Sequence, residues 1–168
     1  MVMDAMRSAF TFPAVVNEKA ARVVASGVVV LAVVALATGW LWLSAVLAVG
    51  FALRVANGPR WSPLGRFAAT VVAPRLGAPR MVSGAPKRFA QGVGLAFTVA
   101  ASVALALGVP VVTVVLLSVL LVFAVLEAGL GICAGCHVFG QLIRAGVVSD
   151  DTCVECADIS LRRPSLSA

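Results

Sequence analysis

The sequence predicts an all-α membrane protein with four transmembrane helices arranged as two hairpins, a basic cytosolic loop between them and a small cysteine-containing cytosolic tail. Hydrophobic residues make up 61% of the 168 residues and charged residues only 12%, whereas about 25% are charged in an average soluble domain. The charges also leave two long stretches free, residues 23–53 and 89–126. Composition and charge placement together argue against a water-soluble fold.

Each charge-free stretch is too long for a single membrane span. Helices of 31 and 38 residues would be about 46 and 57 Å long, whereas the hydrocarbon core is about 30 Å thick. Each stretch has a helix break near its middle, at Gly39 and at Gly108-Val109-Pro110, since glycine ends helices and proline begins them. We therefore expect four spans: residues 20–38, 40–56, 89–107 and 110–128.

These spans divide the chain into five segments. Residues 1–19 form an N-terminal segment, 20–56 the first hairpin, 57–88 the middle loop, 89–132 the second hairpin, and 133–168 a tail whose last residues we expect to be disordered. The N-terminal segment mixes acidic and basic residues and precedes an apolar run much longer than a signal peptide's, so we expect it to be retained.

The middle loop and its flanks fix the predicted orientation. Seven basic residues and no acidic residue lie between positions 54 and 88: Arg54, Arg60, Arg66, Arg75, Arg80, Lys87 and Arg88. The positive-inside rule places such a loop in the cytosol, and four spans then put both termini there. The loop lacks a compact binding motif with base-stacking aromatic residues, so we expect it to meet anionic lipid rather than nucleic acid. Its prolines predict turns and short helices.

The four cysteines form two pairs in the last quarter of the chain. Cys133 and Cys136 are followed, sixteen residues later, by Cys153 and Cys156. Two C-x-x-C pairs at this separation are typical of a structural zinc site with four thiolate ligands. The spacing therefore makes a zinc ion that folds the tail one hypothesis for these cysteines.

Thiol–disulfide or persulfide exchange is the competing chemistry, because structural disulfides are rare in a reducing cytosol. A helix beginning near Gly131 would favour the thiolate of Cys133, whereas the carboxyl end of a helix would oppose it. The second pair is surrounded by acidic residues, which raise thiol pKa values: Asp150, Asp151, Glu155 and Asp158. From the residues alone, the comparison of thiol exchange with metal binding favours the zinc site.

His137 directly follows the first pair and completes the haem-attachment pattern C-x-x-C-H. We do not expect haem, because attachment occurs on the opposite side of the membrane and no methionine follows to supply a second ligand. His137 could instead replace or support one thiolate ligand, or serve only in packing.

Glu127 is the first acidic residue after the second charge-free stretch. It either marks the inner end of the last span or lies within the bilayer, where a carboxylate indicates a functional site such as that of a small transporter. The Gly131-x-x-x-Gly135 spacing would allow close helix approach and a homo-oligomer.

Several stretches together resemble one protein family, the DUF4395 family, over about residues 12–137. The matching stretches are Phe12-Pro13, Val16-Asn17-Glu18 with Arg22, Gly58-Pro59-Arg60-Trp61-Ser62-Pro63, Pro86-Lys87-Arg88-Phe89-Ala90-Gln91, Leu126-Glu127-Ala128 and Gly131-x-Cys133-x-Gly135-Cys136. The resemblance implies a multi-pass protein of the bacterial cytoplasmic membrane, without an established activity, whose partners include thioredoxin-like or rhodanese-like soluble proteins. It does not extend to Cys153 and Cys156.

Two functions remain near parity. In the first, Cys133 and Cys136 are a membrane-anchored dithiol that exchanges disulfide or sulfane sulfur, with Cys153 and Cys156 as a relay pair. In the second, a zinc ion on all four cysteines folds the tail into a docking element without enzymatic activity. Whether the protein is an enzyme stays open, and at most we expect a thiol-exchange partner.

Overall fold

The computed structural model describes Pro13 and residues 15–146. Its strands are β1 (Val15–Asn17) and β2 (Met81–Ser83), and its α-helices are α1 (Glu18–Thr38), α2 (Leu43–Asn57), α3 (Pro63–Phe67), α4 (Gly84–Ala106), α5 (Pro110–Val125) and α6 (Ala134–Arg144). Short 3-10 or π-helical turns cover Gly58–Arg60, Ala68–Val72, Ala73–Leu76 and Leu126–Leu130. The expected disordered end and the second cysteine pair, Cys153 and Cys156, lie outside the described residues.

Within residues 15–146, three helices are long and apolar enough to cross a membrane: Glu18–Thr38, Gly84–Ala106 and Pro110–Leu130. The helix expected over 40–56 begins at Leu43 and has 15 residues, so it is only about 22 Å long. It starts late because Gly39 ends α1 with φ 74° and the next residues form a turn in which the Leu43 amide donates to the Trp40 carbonyl. The helix expected from residue 89 begins earlier, at Gly84, directly after β2.

The four longer helices form a bundle. α4 packs against α2 on one side and α5 on the other, α1 packs against α5, and α1 touches α2 less extensively. Short connections join α1 to α2 and α4 to α5, so the helices of each hairpin run antiparallel. We call the end of the bundle where α1 and α4 begin the loop end; the long segment from Gly58 to Arg80 and helix α6 lie there.

The centre of the bundle is built from small and hydroxyl-bearing residues. Ala35, Ala101, Ser44, Thr98 and Thr113 are completely buried. The hydroxyls have partners: Thr113 Oγ1 donates to the Ala101 carbonyl at 2.8 Å, and Ser102 Oγ to Ser44 Oγ at 3.0 Å. Larger apolar side chains such as Leu47 and Leu117 complete this core, and many others lie on the outside, among them Val30, Val49, Val103, Val111 and Val122. Small residues between the helices and apolar residues on the outside are typical of helices that pack within lipid.

A two-stranded antiparallel ribbon joins the starts of α1 and α4. In it Val15 pairs with Ser83, Val16 with Val82 and Asn17 with Met81. The Asn17 side chain caps α1 by accepting from the Lys19 amide at 3.1 Å, and Glu18 of α1 forms a 3.0 Å ion pair with Arg80. The ribbon thereby holds two helix N-termini side by side at the loop end.

The loop between the hairpins folds back onto the bundle. Ser62 caps α3, with its Oγ accepting a hydrogen bond from the Gly65 amide at 3.2 Å. α3 and the following turn pack against α1, where the Leu64 side chain occupies the space beside Gly27. The basic segment therefore consists of short helices and turns that lie on the bundle, as its prolines predict.

Gly94 supplies a test of the bundle's packing. A Cβ at Gly94 would lie 2.4 Å from the Phe51 ring, whereas a Cβ at Gly92, on the same helix, meets nothing within 4 Å. We expect Gly94→Ala to lower the free energy of unfolding by about 1–3 kcal/mol, because Phe51 is buried and α2 must move away. Gly92→Ala is the matched control and should be neutral or stabilising. Equal stabilities of the two variants, measured by SDS titration of the detergent-solubilised protein, would contradict this packing.

Candidate functional site

The last long helix ends before the first cysteine pair, and a new helix begins there. α5 continues through the turn Leu126–Leu130 and stops at Gly131, whose φ of 70° is left-handed. The Gly131 amide donates to the Glu127 carbonyl at 3.1 Å. After Ile132 and Cys133 the chain turns into α6, which begins at Ala134. Of the two arrangements that the sequence left open, the structure has the new helix after Gly131, which places Cys133 at a helix N-terminus.

Cys133 is the N-cap residue of α6, with extended backbone angles of −91° and 106°. Cys136 stands at the third helical position, so its side chain returns to the same end of the helix. The Cys136 thiol is the neighbour that most favours the Cys133 thiolate, while the Cys133 side chain itself caps no backbone amide of α6. Both residues are free thiols and buried, with exposed fractions of 6% and 9%.

The nearness of the two thiols gives them different pKa values. The pKa of Cys133 is lowered, chiefly because the Cys136 thiol donates to its thiolate; the Lys87 charge adds to this effect, while burial and the Glu127 charge oppose it. The pKa of Cys136 is raised, chiefly by the same hydrogen bond and next by burial. Since the thiolate is the reactive form, Cys133 is the more acidic of the two thiols and Cys136 the one that keeps its proton to higher pH.

His137 lies beside this pair but faces outward. Its backbone amide and its ring Nδ1 are both 3.2 Å from the Cys133 carbonyl oxygen, so the ring acts as a donor to the backbone there. The side chain is exposed. Among the described residues no group of three histidine, cysteine or acidic side chains is placed to hold a metal ion; Cys153 and Cys156, which the zinc hypothesis needs, are not among them.

Glu127 is held by an ion pair close to the dithiol. Its Oε1 lies 2.7 Å from Lys87 Nζ, and the two side chains are only 16% and 9% exposed. Lys87 belongs to the first turn of α4, and Glu127 to the turn that ends α5. The carboxylate therefore lies near the loop end of a helix long enough to span, paired with a buried cation.

Arg22 closes the same helix end from the other side. Its Nε donates to the Ala128 carbonyl at 3.1 Å and its Nη2 to the Gly129 carbonyl at 2.6 Å. Carbonyls in the last turn of a helix lack partners within the helix. A cation at this position also complements the helix dipole. Arg22 thus fixes the helix end that precedes Cys133.

A cavity of about 270 Å³ opens beside Cys133 within the bundle. Its polar lining includes Cys133, Glu127 and Gln91, whereas most of its wall is apolar, with Phe51, Phe97 and Phe123 among the larger side chains. The Cys133 side chain therefore borders a mainly apolar cavity between the helices, although little of Cys133 itself is exposed.

α6 is held against α4 by close packing. The Phe139 and Phe89 ring centroids are 5.7 Å apart, and a Cβ at Gly135 would lie 2.5 Å from the Ala90 Cβ. Cys136, Phe139 and Ile143 form the buried face of α6. The Gly131-x-x-x-Gly135 spacing therefore serves a turn and an intramolecular contact in this structure, rather than one continuous helix face.

Sequence reasoning identified the cysteines and Glu127 but missed the side chains that surround them. Lys87 counted only as a basic loop residue, yet it is 7% exposed and points into the bundle. Its position at the edge of the charge-free stretch was the available signal, since a lone acidic residue at the far end of that stretch needs a cation if it is buried.

The chain was also compared with known proteins. The family model DUF4395, described as a domain of unknown function, matches residues 16–144, which includes both described cysteines. No curated protein and no solved structure matches the chain.

Removing the Glu127 charge should destabilise the fold. We expect Glu127→Gln to lower the free energy of unfolding by about 3 kcal/mol, because it leaves Lys87 buried without its counter-ion. The double variant Lys87→Met with Glu127→Leu should recover most of this loss, because neither charge remains. SDS titration of all the variants measures both effects. A loss of less than about 0.5 kcal/mol for Glu127→Gln, the range of ordinary surface substitutions, would show that the pair is not stabilising.

Loosening α6 should expose the thiols. We expect Gly135→Ala to speed labelling of Cys133 and Cys136 by a bulky polar maleimide about tenfold, since about 1.4 kcal/mol of overpacking in the closed state shifts local opening by that factor. Gly129→Ala is the control, because nothing lies within 4 Å of its Cβ. If both variants label at the wild-type rate, the Gly135 contact does not hold α6 closed.

Proposed function

The chain belongs to the DUF4395 family, and we propose that it is a membrane-anchored thiol–disulfide or sulfur-relay module whose reactive pair is Cys133 and Cys136. The observation that carries the proposal is the position of Cys133 at the N-terminus of α6, with Cys136 three residues on and both thiols free and buried. The neighbouring Cys136 thiol lowers the pKa of Cys133, while the pKa of Cys136 is raised. A dithiol needs this difference, because one sulfur attacks and the other stays protonated until it is required.

The exchange that we propose takes place in two steps. The Cys133 thiolate attacks one sulfur of a substrate disulfide, forms a mixed disulfide and releases the other substrate sulfur as a thiolate. Cys136 then gives its proton to the substrate thiolate released first, attacks the Cys133 sulfur, closes the intramolecular disulfide and releases the second substrate thiolate. Two electrons pass from the pair to the substrate, and the same steps in reverse regenerate the dithiol.

Access to the sulfurs is the main constraint on a partner. With 6% of Cys133 exposed, a folded protein reaches its sulfur only after α6 moves away from α4, whereas a small thiol compound can approach through the adjoining cavity. A thioredoxin-like or rhodanese-like partner is what the sequence resemblance predicts, and such a partner would have to dock at the loop end and open α6.

The same proposal includes a topology. Four helices cross the cytoplasmic membrane of a bacterium, α2 among them, with both termini, the basic loop and the dithiol at the cytosolic side. α2 is short, but it supplies Leu43, Leu47 and Phe51 to the bundle core. Trp40 and Trp42, both more than half exposed, precede it where an interfacial belt is expected. The seven basic and no acidic residues between positions 54 and 88 support the orientation.

Alkylation of the two thiols tests the proposal. In a Cys153→Ser, Cys156→Ser background, we expect limiting iodoacetamide to modify Cys133 before Cys136, with a half-maximal pH below the value of about 8.5 for an ordinary cysteine. Cys136→Ala should move that midpoint upward, because the chief stabilising hydrogen bond to the thiolate is lost. Mass spectrometry of the peptides gives both results.

Glutathione disulfide then tests the exchange itself. The protein with both thiols should form an internal disulfide, whereas Cys136→Ser should stop at a stable mixed disulfide on Cys133. First modification of Cys136, or a pH midpoint that Cys136→Ala leaves unchanged, would contradict the roles assigned to the two cysteines. About one zinc ion per wild-type chain that Cys153→Ser removes would instead favour the four-cysteine structural site.

A further inference from the structure

Arg54 is a buried cation whose contacts are neutral. It is 5% exposed; its Nε donates to Gln91 Oε1 at 2.8 Å, and its guanidinium lies 4.4 Å from the centre of the Phe51 ring. These contacts position the group without cancelling its charge. An uncompensated buried charge is strongly unfavourable in a protein interior.

The nearest carboxylate is already used by another cation. Glu127 makes its 2.7 Å ion pair with Lys87 and attracts Arg54 only through space. Glu18, the other acidic residue in the described part of the chain, pairs with Arg80. Two buried cations, Arg54 and Lys87, thus share one carboxylate, which leaves one positive charge in excess among these three side chains.

An unused hydrogen-bond donor lies at the same place. Arg54 Nη2 is buried and has no partner. Buried polar groups almost always have partners. A missing partner for a charged guanidinium points to an acceptor supplied from outside the chain, and the excess positive charge calls for an anionic one.

A cavity of about 160 Å³ adjoins these cations. Arg54, Lys87, Gln91 and Asn17 supply polar groups to its wall, and the remainder is mainly apolar, including Val16 and Ala20. It lies between β1 and helices α1, α2 and α4. Val24 and Gln91 belong to the walls of both this cavity and the one beside Cys133, so the two spaces are neighbours.

We propose that this cavity binds a phosphate-like oxyanion between Arg54 and Lys87. A guanidinium presents paired donors that match two oxygens of such a group, and an ammonium adds a point charge. A rotation of the Arg54 guanidinium would bring Nη2 to the bound oxygens. The same chemistry fits free phosphate and the phosphate of a lipid headgroup, whose glycerol and first methylenes would meet the apolar wall. The site does not depend on the dithiol.

Binding to the full-length protein, delipidated in a neutral maltoside detergent, tests the proposal. One arm titrates inorganic phosphate against chloride at constant ionic strength by calorimetry. The other counts bound phosphatidylglycerol by native mass spectrometry, with uncharged diacylglycerol as control. Phosphate binding identifies a soluble ligand, and headgroup binding without phosphate binding identifies a lipid. Failure of the wild type to bind either would overturn the proposal, whatever the variants do.

Charge-neutralising variants localise the binding. We expect Arg54→Gln to weaken it at least about tenfold, because the paired donors and the charge are lost. Arg75→Gln removes the same charge from an exposed loop position and should leave the affinity within about twofold. Equal losses in the two variants would show nonspecific attraction to the basic loop and overturn the site.

Two further variants distinguish the remaining explanations of the binding. Arg54→Lys keeps the charge and the fold but loses the paired donors, so it should bind with intermediate affinity if the guanidinium is a ligand. Asp4→Asn should bind like the wild type. If Asp4→Asn binds phosphate and the wild type does not, the chain's own carboxylate occupies the cavity, and the proposal of an external ligand fails.

Discussion

The ion pair between Lys87 and Glu127 is the contact on which the loop end of the bundle depends. It joins the first turn of α4 to the last turn of α5 at 2.7 Å, across surroundings that would strongly disfavour either charge alone. Six residues after Glu127 the chain reaches Cys133, and α6 then returns to pack on α4, the helix that carries Lys87. The position of Cys133 and Cys136 is therefore set by the same two helices that the ion pair connects.

The polar side chains of this bundle are unevenly distributed. In its middle, buried hydroxyls donate to one another or to nearby carbonyls, whereas the buried charged residues that the structure describes, Arg54 and Lys87, lie in one layer at the loop end. Within this layer Glu127 is the one described carboxylate available to Lys87 and Arg54, and its negative charge also opposes the thiolate of Cys133. Glu127 therefore acts both on the pKa of Cys133 and on the charge balance of the buried cations. A ligand that neutralised Arg54 would also alter the electrostatic potential at Cys133.

Composition and residue spacing were enough to predict the helical hairpins of this fold. Charge-free stretches, Gly39 and Gly108 predicted two helical hairpins, and the x2 spacing predicted that Cys133 and Cys136 would lie together. Side-chain direction was harder to predict: the burial of Lys87 had one signal, its position beside a charge-free stretch, and nothing local shows that Arg22 meets carbonyls more than a hundred residues away. The three-residue strands were missed because they are too short to display alternation. The late start of α2 reflects a turn at Trp40, which hydropathy does not distinguish from helix.

The helix start at Cys133 has a counterpart in the first half of the chain. Each half consists of a strand, a long helix, a second helix and a short helix that returns to the first, and the two strands pair around Val16 and Val82. The returning helix of the first half begins after Ser62, whose side chain accepts from the amide three residues on, and that of the second half begins after Cys133, which makes no such cap. Sulfur stands where the other half has oxygen. The same place at the start of a returning helix therefore carries a capping hydroxyl in one half and an ionisable thiol in the other.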